Sequence, residues 1–326
     1  MIKADRIIVC CTGDGVTGGP ELLHQLVHQL RILRHQAYIA YYPFDQQFSC
    51  PEAYQGYDVP QTCFLDLPNV FIIVPETATR FLKHLKYAKA AVWWLSVDNY
   101  FCVQRQSRLT DLIMRYKTLV SHRLPLRSLH KFTHFSQSQY ASEFLAKYGI
   151  NSMPLTDYLG KAHLESRAIK SSRLNIVVYN PKKGAKQTIR LREANPDIEF
   201  IPIQNMTSYQ VAELLSRAKI YMDFGHHPGK DRPPREAALA GCCVITGRQG
   251  SAKYFADVSI PDEFKLDDTT ESYISSFRPL VQKIFSDFDE YSSRFELYRD
   301  KIRQEPIIFC QQVESIFGHG VYNSWE

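Results

Sequence analysis

The sequence predicts an α/β protein of two Rossmann-like domains that face each other across a cleft. Three observations carry this. Continuous apolar runs of strand length alternate with stretches of helical periodicity through the first half of the chain. A polar, weakly periodic stretch, "TDYLGKAHLESRAIKSSR" (156–173), then interrupts the alternation, and a second alternation follows it. Strands apolar on both faces and separated by helices belong to a parallel sheet covered on both sides. Such sheets bind ligands outside the carboxyl ends of their strands, so two of them face to face bring both sets of loops to one cleft.

The elements follow in order. "RIIVCCT" reads as a buried strand, and "PELLHQLVHQLRILRHQ" as a helix with Pro20 at its first position. "AYIAYYP" and "NVFIIVPE" are strands, "TATRFLKHLKYA" a helix and "KAAVWWLSVD" a strand. "SRLTDLIMRYKTLV" is a helix, "FTHFSQS" a strand, and "QYASEFLAKYG" a helix stopped by Gly149. After the polar stretch come "NIVVYN" (strand), "AKQTIRLREAN" (helix), "EFIPIQ" (strand), "SYQVAELLSRA" (helix) and "KIYMDFG" (strand). "PREAALA" is a short helix, "CCVITG" a strand, and the aromatic-rich remainder is helical.

Bulk properties narrow the function. A chain of 326 residues suggests two domains, and 44% hydrophobic residues can fill two cores. A net charge of +5 is far from the dense basic stripe of a nucleic-acid binder. It suits an anionic small molecule, or weak attraction to an acidic membrane surface. The eight cysteines include two adjacent pairs inside apolar runs and no CxxC. Buried thiols of a reducing cytosol fit this pattern better than disulfides or zinc. No apolar stretch is long enough to span a membrane, and "RIIVCC" is too short for a signal peptide. The expected location is cytoplasmic.

Three loops could carry chemistry. The first, "CTGDGVTGGPELLHQL", combines Gly13, Gly15, Gly18 and Gly19 with a helix start that offers N–H groups to an anion, or it is simply a tight turn. The second, "YNPKKGAK", places Lys182 and Lys183 after a strand; they could clamp a phosphate, or be a solvated pair. The third, "YMDFGHHPGKDRPPREAALAGCCVITG", supplies His226, His227, Lys230, Arg232 and Arg235 just before a helix, with Glu236 in its first turn. Glu236 could accept hydrogen bonds from the paired hydroxyls of a ribose, or merely complement the helix dipole. Adjacent histidines with no carboxylate at ligand spacing are a poor metal site, so no metal is expected. Most aromatic residues, Trp93 and Trp94 among them, fit core packing better than a sugar-stacking surface.

"EAALAGCCVITG" resembles the "EAMAxGxPV" segment of GT-B glycosyltransferases, especially those related to glycosyltransferase family 4. "KIYMDFG" stands at their preceding strand, "KKG" at the Lys-Gly that opens their donor lobe, and "TGGPELLHQLVHQLRILRHQAYIAY" at their N-terminal segment. "HFSQSQYASEFLAKYGI" resembles the close of their acceptor lobe, so the resemblance spans most of the chain in the right order. It implies GT-B architecture, with an acceptor domain over 1–160, a donor domain over 161–290, and a helical segment over 291–326 that crosses back to the first.

The implied activity is transfer of a sugar from a nucleotide-activated donor to a hydroxyl acceptor. The acceptor would be a glycan or lipid-linked glycan of a cell-surface polysaccharide, handled in the cytoplasm or peripherally at the inner face of the plasma membrane. The nucleotide sugar is a substrate, and no cofactor is expected. Donor-binding residues would be Gly18, Gly19, Lys182, Lys183, His227, Gly229, Lys230, Arg232 and Glu236. Retaining members carry an acid where Pro228 stands here; Gly229 matches the family glycine, and Lys230 and Arg232 follow. The departing diphosphate gains charge, which Lys, Arg and helix N-termini can stabilise without a metal, and Arg232 is the catalytic candidate for that role. Candidates for a base on the acceptor hydroxyl are Glu76, Asp98 and, third, Asp14, each also readable as a cap or turn carboxylate. An epimerase or polyol-phosphate transferase on the same architecture, and a binder without catalysis, remain open alternatives.

Overall fold

The computed structural model describes residues 1–13, 15–101, 122–164 and 173–320. Asp14, Cys102, the expected helix over 107–120 and part of the polar stretch lie outside them. The chain divides into two compact units, one formed by Met1–Tyr158 with Pro306–Glu326 and the other by Leu159–Glu305.

The first unit is built on a parallel sheet of six strands: β1 (Arg6–Thr12), β2 (Ala37–Tyr42), β3 (Val70–Pro75), β4 (Lys89–Trp94), β5 (Thr133–Ser136) and β6 (Met153–Pro154). Their spatial order is β2-β1-β3-β4-β5-β6. Ile8, Val9, Cys10, Ile72, Ile73, Val92 and Trp93 are buried on both sheet faces, which is why these strands read as unbroken apolar runs. Trp93 and Trp94 belong to the core: their indole N–H groups donate to the Leu155 carbonyl (2.9 Å) and to His134 Nδ1 (3.0 Å).

Two elements depart from the sequence reading. The expected helix over 77–88 is a 3₁₀ stretch, Glu76–Leu82. The carboxylate of Asp66 accepts the main-chain N–H groups of Lys86, Tyr87 and Ala88 at 2.7, 2.9 and 2.8 Å, and groups spent this way cannot continue a helix. The strand expected to run to Asp98 ends at Trp94; Ser96 Oγ then accepts the Asn99 N–H at 3.3 Å and starts a short helix, Val97–Phe101.

The second unit carries a parallel sheet of four strands, β7 (Leu174–Tyr179), β8 (Glu199–Pro202), β9 (Ala218–Asp223) and β10 (Cys243–Thr246), in the order β10-β9-β7-β8. Flanking helices cover Ala185–Ala194, Ser208–Arg217, Arg232–Leu239 and Ser272–Ser286. The buried Arg299 donates to the carbonyls of Ala238 (2.8 Å) and Gly241 (3.4 Å), placing a cation at the carboxyl end of the Arg232–Leu239 helix.

The helix Glu296–Phe317 begins in the second unit and ends in the first, with Pro306 at the division. Its last turns complete the first core: Phe309, Val313, Ile316 and Phe317 pack with β1, β3 and the helix Gly18–Ile32. No helix among the described residues is long and apolar enough to cross a membrane.

Candidate functional site

In each sheet the strand order reverses beside the first strand, between β1 and β3 and between β7 and β9. Ligands of doubly wound sheets bind at such switch points, outside the carboxyl ends. Most of the described candidate residues follow the strands at these two places, Asp98 following β4 instead, and they fall in different units. Gly18, Gly19, Glu76 and Asp98 lie in the first; Lys182, Lys183, His227, Gly229, Lys230, Arg232 and Glu236 lie in the second.

At the β7/β9 switch point two loops meet backbone to backbone. Gly184 (φ +53) and Gly225 (φ +93) lie so close that a Cβ on Gly225 would stand 2.8 Å from the Gly184 nitrogen. Only glycine tolerates both the left-handed conformation and the approach. The contact carries Lys183 to the loop after β9, where its ammonium pairs with Asp231 Oδ2. Lys182 beside it is exposed.

Beneath this pair lies His227, fully buried, with Nε2 3.1 Å from the Asp223 carbonyl and Nδ1 2.9 Å from Asp231 Oδ2. The approach of Nδ1 to Asp231 is an ion-pair contact without hydrogen-bond geometry. Burial alone would lower the His227 pKa, but Asp223 and Asp231 outweigh it and raise it. Burial would likewise raise Asp231, but Lys183 and His227 hold it down to about 2. Asp223 moves the other way, raised by burial, and its Oδ1 has no hydrogen-bond partner among the described residues. Asp223, His227 and Asp231 thus offer ligating atoms within 4.8 Å of one another. The expectation that His227 has no carboxylate at ligand spacing is corrected: carboxylates stand four residues before and four after it in sequence, and the loop folds both onto its ring.

The helix that follows starts at Arg232, two residues before its expected start, with Asp231 at the N-cap position. Pro233 and Pro234 sit inside the first turn, where a missing N–H breaks no helical bond. Two expectations change. Glu236 stands one turn in, outside the first turn. The helix N-terminus also has fewer N–H groups to offer an anion, since two of its early positions are proline, so the charge here comes from side chains.

Arg232 Nε lies 3.3 Å from Glu236 Oε1, and His163 Nε2 reaches the same oxygen at 3.5 Å. Lys230 turns its ammonium onto Glu305 Oε1 (2.7 Å). The fully buried Arg235 meets the other Glu305 oxygen at 2.8 Å and donates to the carbonyls of Lys230 (2.9 Å) and Asp231 (3.2 Å). These two cations therefore fasten the loop to the helix Glu296–Phe317. The Gly229 carbonyl accepts the Ser251 hydroxyl at 2.5 Å. Asp268 accepts the N–H groups of Gly225 and Arg248, each at 3.2 Å, and the Gln249 amide at 2.9 Å, pinning neighbouring loops of the sheet.

In the first unit, the turn after β1 enters the helix Gly18–Ile32, which begins at Gly18 and makes Pro20 its third residue. The Tyr54 hydroxyl holds this entry, accepting the Thr17 N–H at 2.9 Å and donating to the Thr17 carbonyl at 2.8 Å. Glu76 follows β3, opens the 3₁₀ stretch and is 2% exposed; its Oε2 accepts the Leu95 N–H at 3.0 Å. Burial raises its pKa to about 7, against main-chain hydrogen bonds that would lower it. A carboxyl poised near neutrality can both take and return a proton. Asp98, in the short helix after β4, is buried and accepts the Tyr140 hydroxyl at 3.2 Å.

Sequence reading missed Asp231, His163, Asp268 and Glu305. The spacing of Asp223, His227 and Asp231 was a usable signal; the other three are partners from distant parts of the chain.

No protein-family model and no curated protein matches the chain. Solved structures do. A glycosyltransferase from Rickettsia africae ESF-5 is 11% identical over 96% of this chain and 97% of its own, with a TM-score of 0.58. The sucrose-phosphate synthase of Thermosynechococcus elongatus is 11% identical over 96% and 98%, with a TM-score of 0.63. The phage T4 protein BGT, solved with UDP and Mn²⁺, is 12% identical over 95% and 98%, with a TM-score of 0.50. At such identities the likeness is one of fold, and with two parallel, doubly wound sheets the fold of this chain is of the GT-B glycosyltransferase type.

Proposed function

We propose that the protein is a glycosyltransferase that moves a sugar from a nucleotide-activated donor to a hydroxyl acceptor, and that its second unit holds the donor. The observation that carries this reading is the gathering of Lys182, Lys183, Arg232 and Glu236 at the β7/β9 switch point. Lys182, Lys183 and Arg232 meet the donor's phosphates. Arg232 stabilises the charge that grows on the departing diphosphate, and the lysine ammonium makes a metal unnecessary. Glu236 accepts the ribose hydroxyls, in exchange for its contacts with Arg232 and His163. Lys230, His227 and Gly229 shape the loop from behind. The first unit carries the acceptor, with Glu76 as the base and Asp98 in support. A glycan or lipid-linked glycan of a cell-surface polysaccharide is the acceptor class we favour, within the family 4 relationship that the motifs suggest.

The test is calorimetric titration with UDP, GDP and dTDP and their sugars. Glu236→Gln should weaken the cognate nucleotide about tenfold or more, since a charge-assisted hydrogen bond is worth about 1.5–3 kcal/mol. Equal binding by the variant defeats the donor assignment. Pro228 in place of an acid favours a second reading, a binder without transfer, and product formation from donor and acceptor separates the two.

A further inference from the structure

The cluster of Asp223, His227 and Asp231 has no part in the transfer chemistry described so far. Two carboxylates and an imidazole whose ligating atoms lie within 4.8 Å of one another are the donor set of a divalent cation. Here the cluster already faces positive charge. Lys183 presents its ammonium to Asp231 Oδ2 from the loop after β7, while the three cluster residues come from β9 and the loop behind it. The ion pair therefore bridges the two strands of the switch point, where Gly184 and Gly225 let the loops touch. His227 holds Asp231 from below, and its own backbone is fixed by the Ser251 N–H, which donates to the His227 carbonyl at 2.9 Å.

We propose that Asp231 is a positioning residue: it fixes the Lys183 ammonium at the β7/β9 switch point as the resident cation that meets the donor's diphosphate, with His227 bracing the carboxylate from beneath. This rests on the donor reading above. An ammonium has three N–H groups, so one can stay on Asp231 while another turns to a phosphate oxygen. A lysine otherwise swings on a flexible four-carbon stem, and a charge already in place loses less freedom when the anion arrives.

Two measurements on the full chain test it. The first is reductive methylation by formaldehyde and borohydride, read at Lys183 by peptide mass spectrometry with exposed Lys182 as reference. A carboxylate contact keeps the amine protonated and slow to react. Lys183 should therefore lag Lys182 in the wild type and approach it in Asp231→Asn. The second is calorimetry with UDP. Asp231→Asn and Lys183→Ala should each weaken binding about tenfold, and the double variant should bind no more weakly than Lys183→Ala alone. Asp231→Glu, which keeps the charge, should retain slow methylation and most of the affinity. An unchanged Lys183 rate in Asp231→Asn overturns the proposal, as do additive losses in the double variant. It also fails if Asp231→Glu falls with Asp231→Asn in both readouts, for the loss is then one of fold. A wild type that binds none of the nucleotides overturns the donor reading instead, while methylation still decides whether Asp231 holds Lys183.

Discussion

Glu76→Gln should make the first unit more stable, and only above the acid range. The carboxyl is raised from 4.5 to about 7 by burial. Between those values the folded chain holds a proton that the unfolded chain has released, so stability falls as pH rises through this window. Below about pH 4.5 the cost is absent; above about pH 7 it is in full force. At about 1.36 kcal/mol per pH unit the rise is worth about 3 kcal/mol, an upper figure because the site relaxes around the charge. Glutamine has the shape of the protonated acid and keeps an oxygen for the Leu95 N–H. The variant should therefore match the wild type near pH 4.5 and exceed it by up to about 3 kcal/mol at pH 8. Guanidinium unfolding followed by tryptophan emission measures this, because Trp93 and Trp94, two of the chain's three tryptophans, are fully buried in the first unit. The same difference at both pH values would refute the argument. Glu76→Gln should also abolish transfer while leaving nucleotide affinity unchanged; full transfer activity removes Glu76 as the base and shifts the test to Asp98→Asn.

Three further outcomes are expected. Arg232→Ala should lower both nucleotide affinity and kcat, the latter by about tenfold or more, because phosphate charge grows in the transition state; a loss confined to KM would assign it to binding alone. Transfer should persist in EDTA, and turnover lost on chelation and restored by Mn²⁺ or Mg²⁺ would contradict the role given to Lys183. Glu305→Ala leaves Lys230 and the fully buried Arg235 without their shared carboxylate, and should destabilise the second unit by about 3 kcal/mol in denaturant unfolding followed by circular dichroism.

The fold was legible where strands are buried on both faces. "RIIVCCT" coincides with β1 because every inner position needs an apolar side chain, so local composition and burial agree. The helix starts at Arg232 rather than at the expected Pro234, because the first turn of a helix needs none of the N–H groups that Pro233 and Pro234 lack. The stretch after Glu76 was misread because the residue that decides it, Asp66, lies some distance back along the chain. The candidate site divides in the same way. Its residue types, Lys, Arg and Glu after two strands, stand in the sequence in plain order. Their partners do not: Asp268 and Glu305 reach the loop after β9 only once the chain has folded, and no local pattern announces them.

The contribution of Phe309, Val313, Ile316 and Phe317 to the first core has a consequence for biosynthesis. The first unit leads the chain out of the ribosome but lacks these side chains until the second unit, Leu159–Glu305, has been made in full. The second unit is continuous in sequence and can close as it emerges. The first must wait with β1 and β3 apolar and partly uncovered, a state that invites chaperones or aggregation. Release of a truncated chain ending near residue 305 should therefore yield a folded second unit joined to a first unit that cannot finish. For the same reason, a plasmid encoding residues 1–158 alone should give insoluble protein, whereas one that fuses 306–320 behind them by a short linker should rescue it.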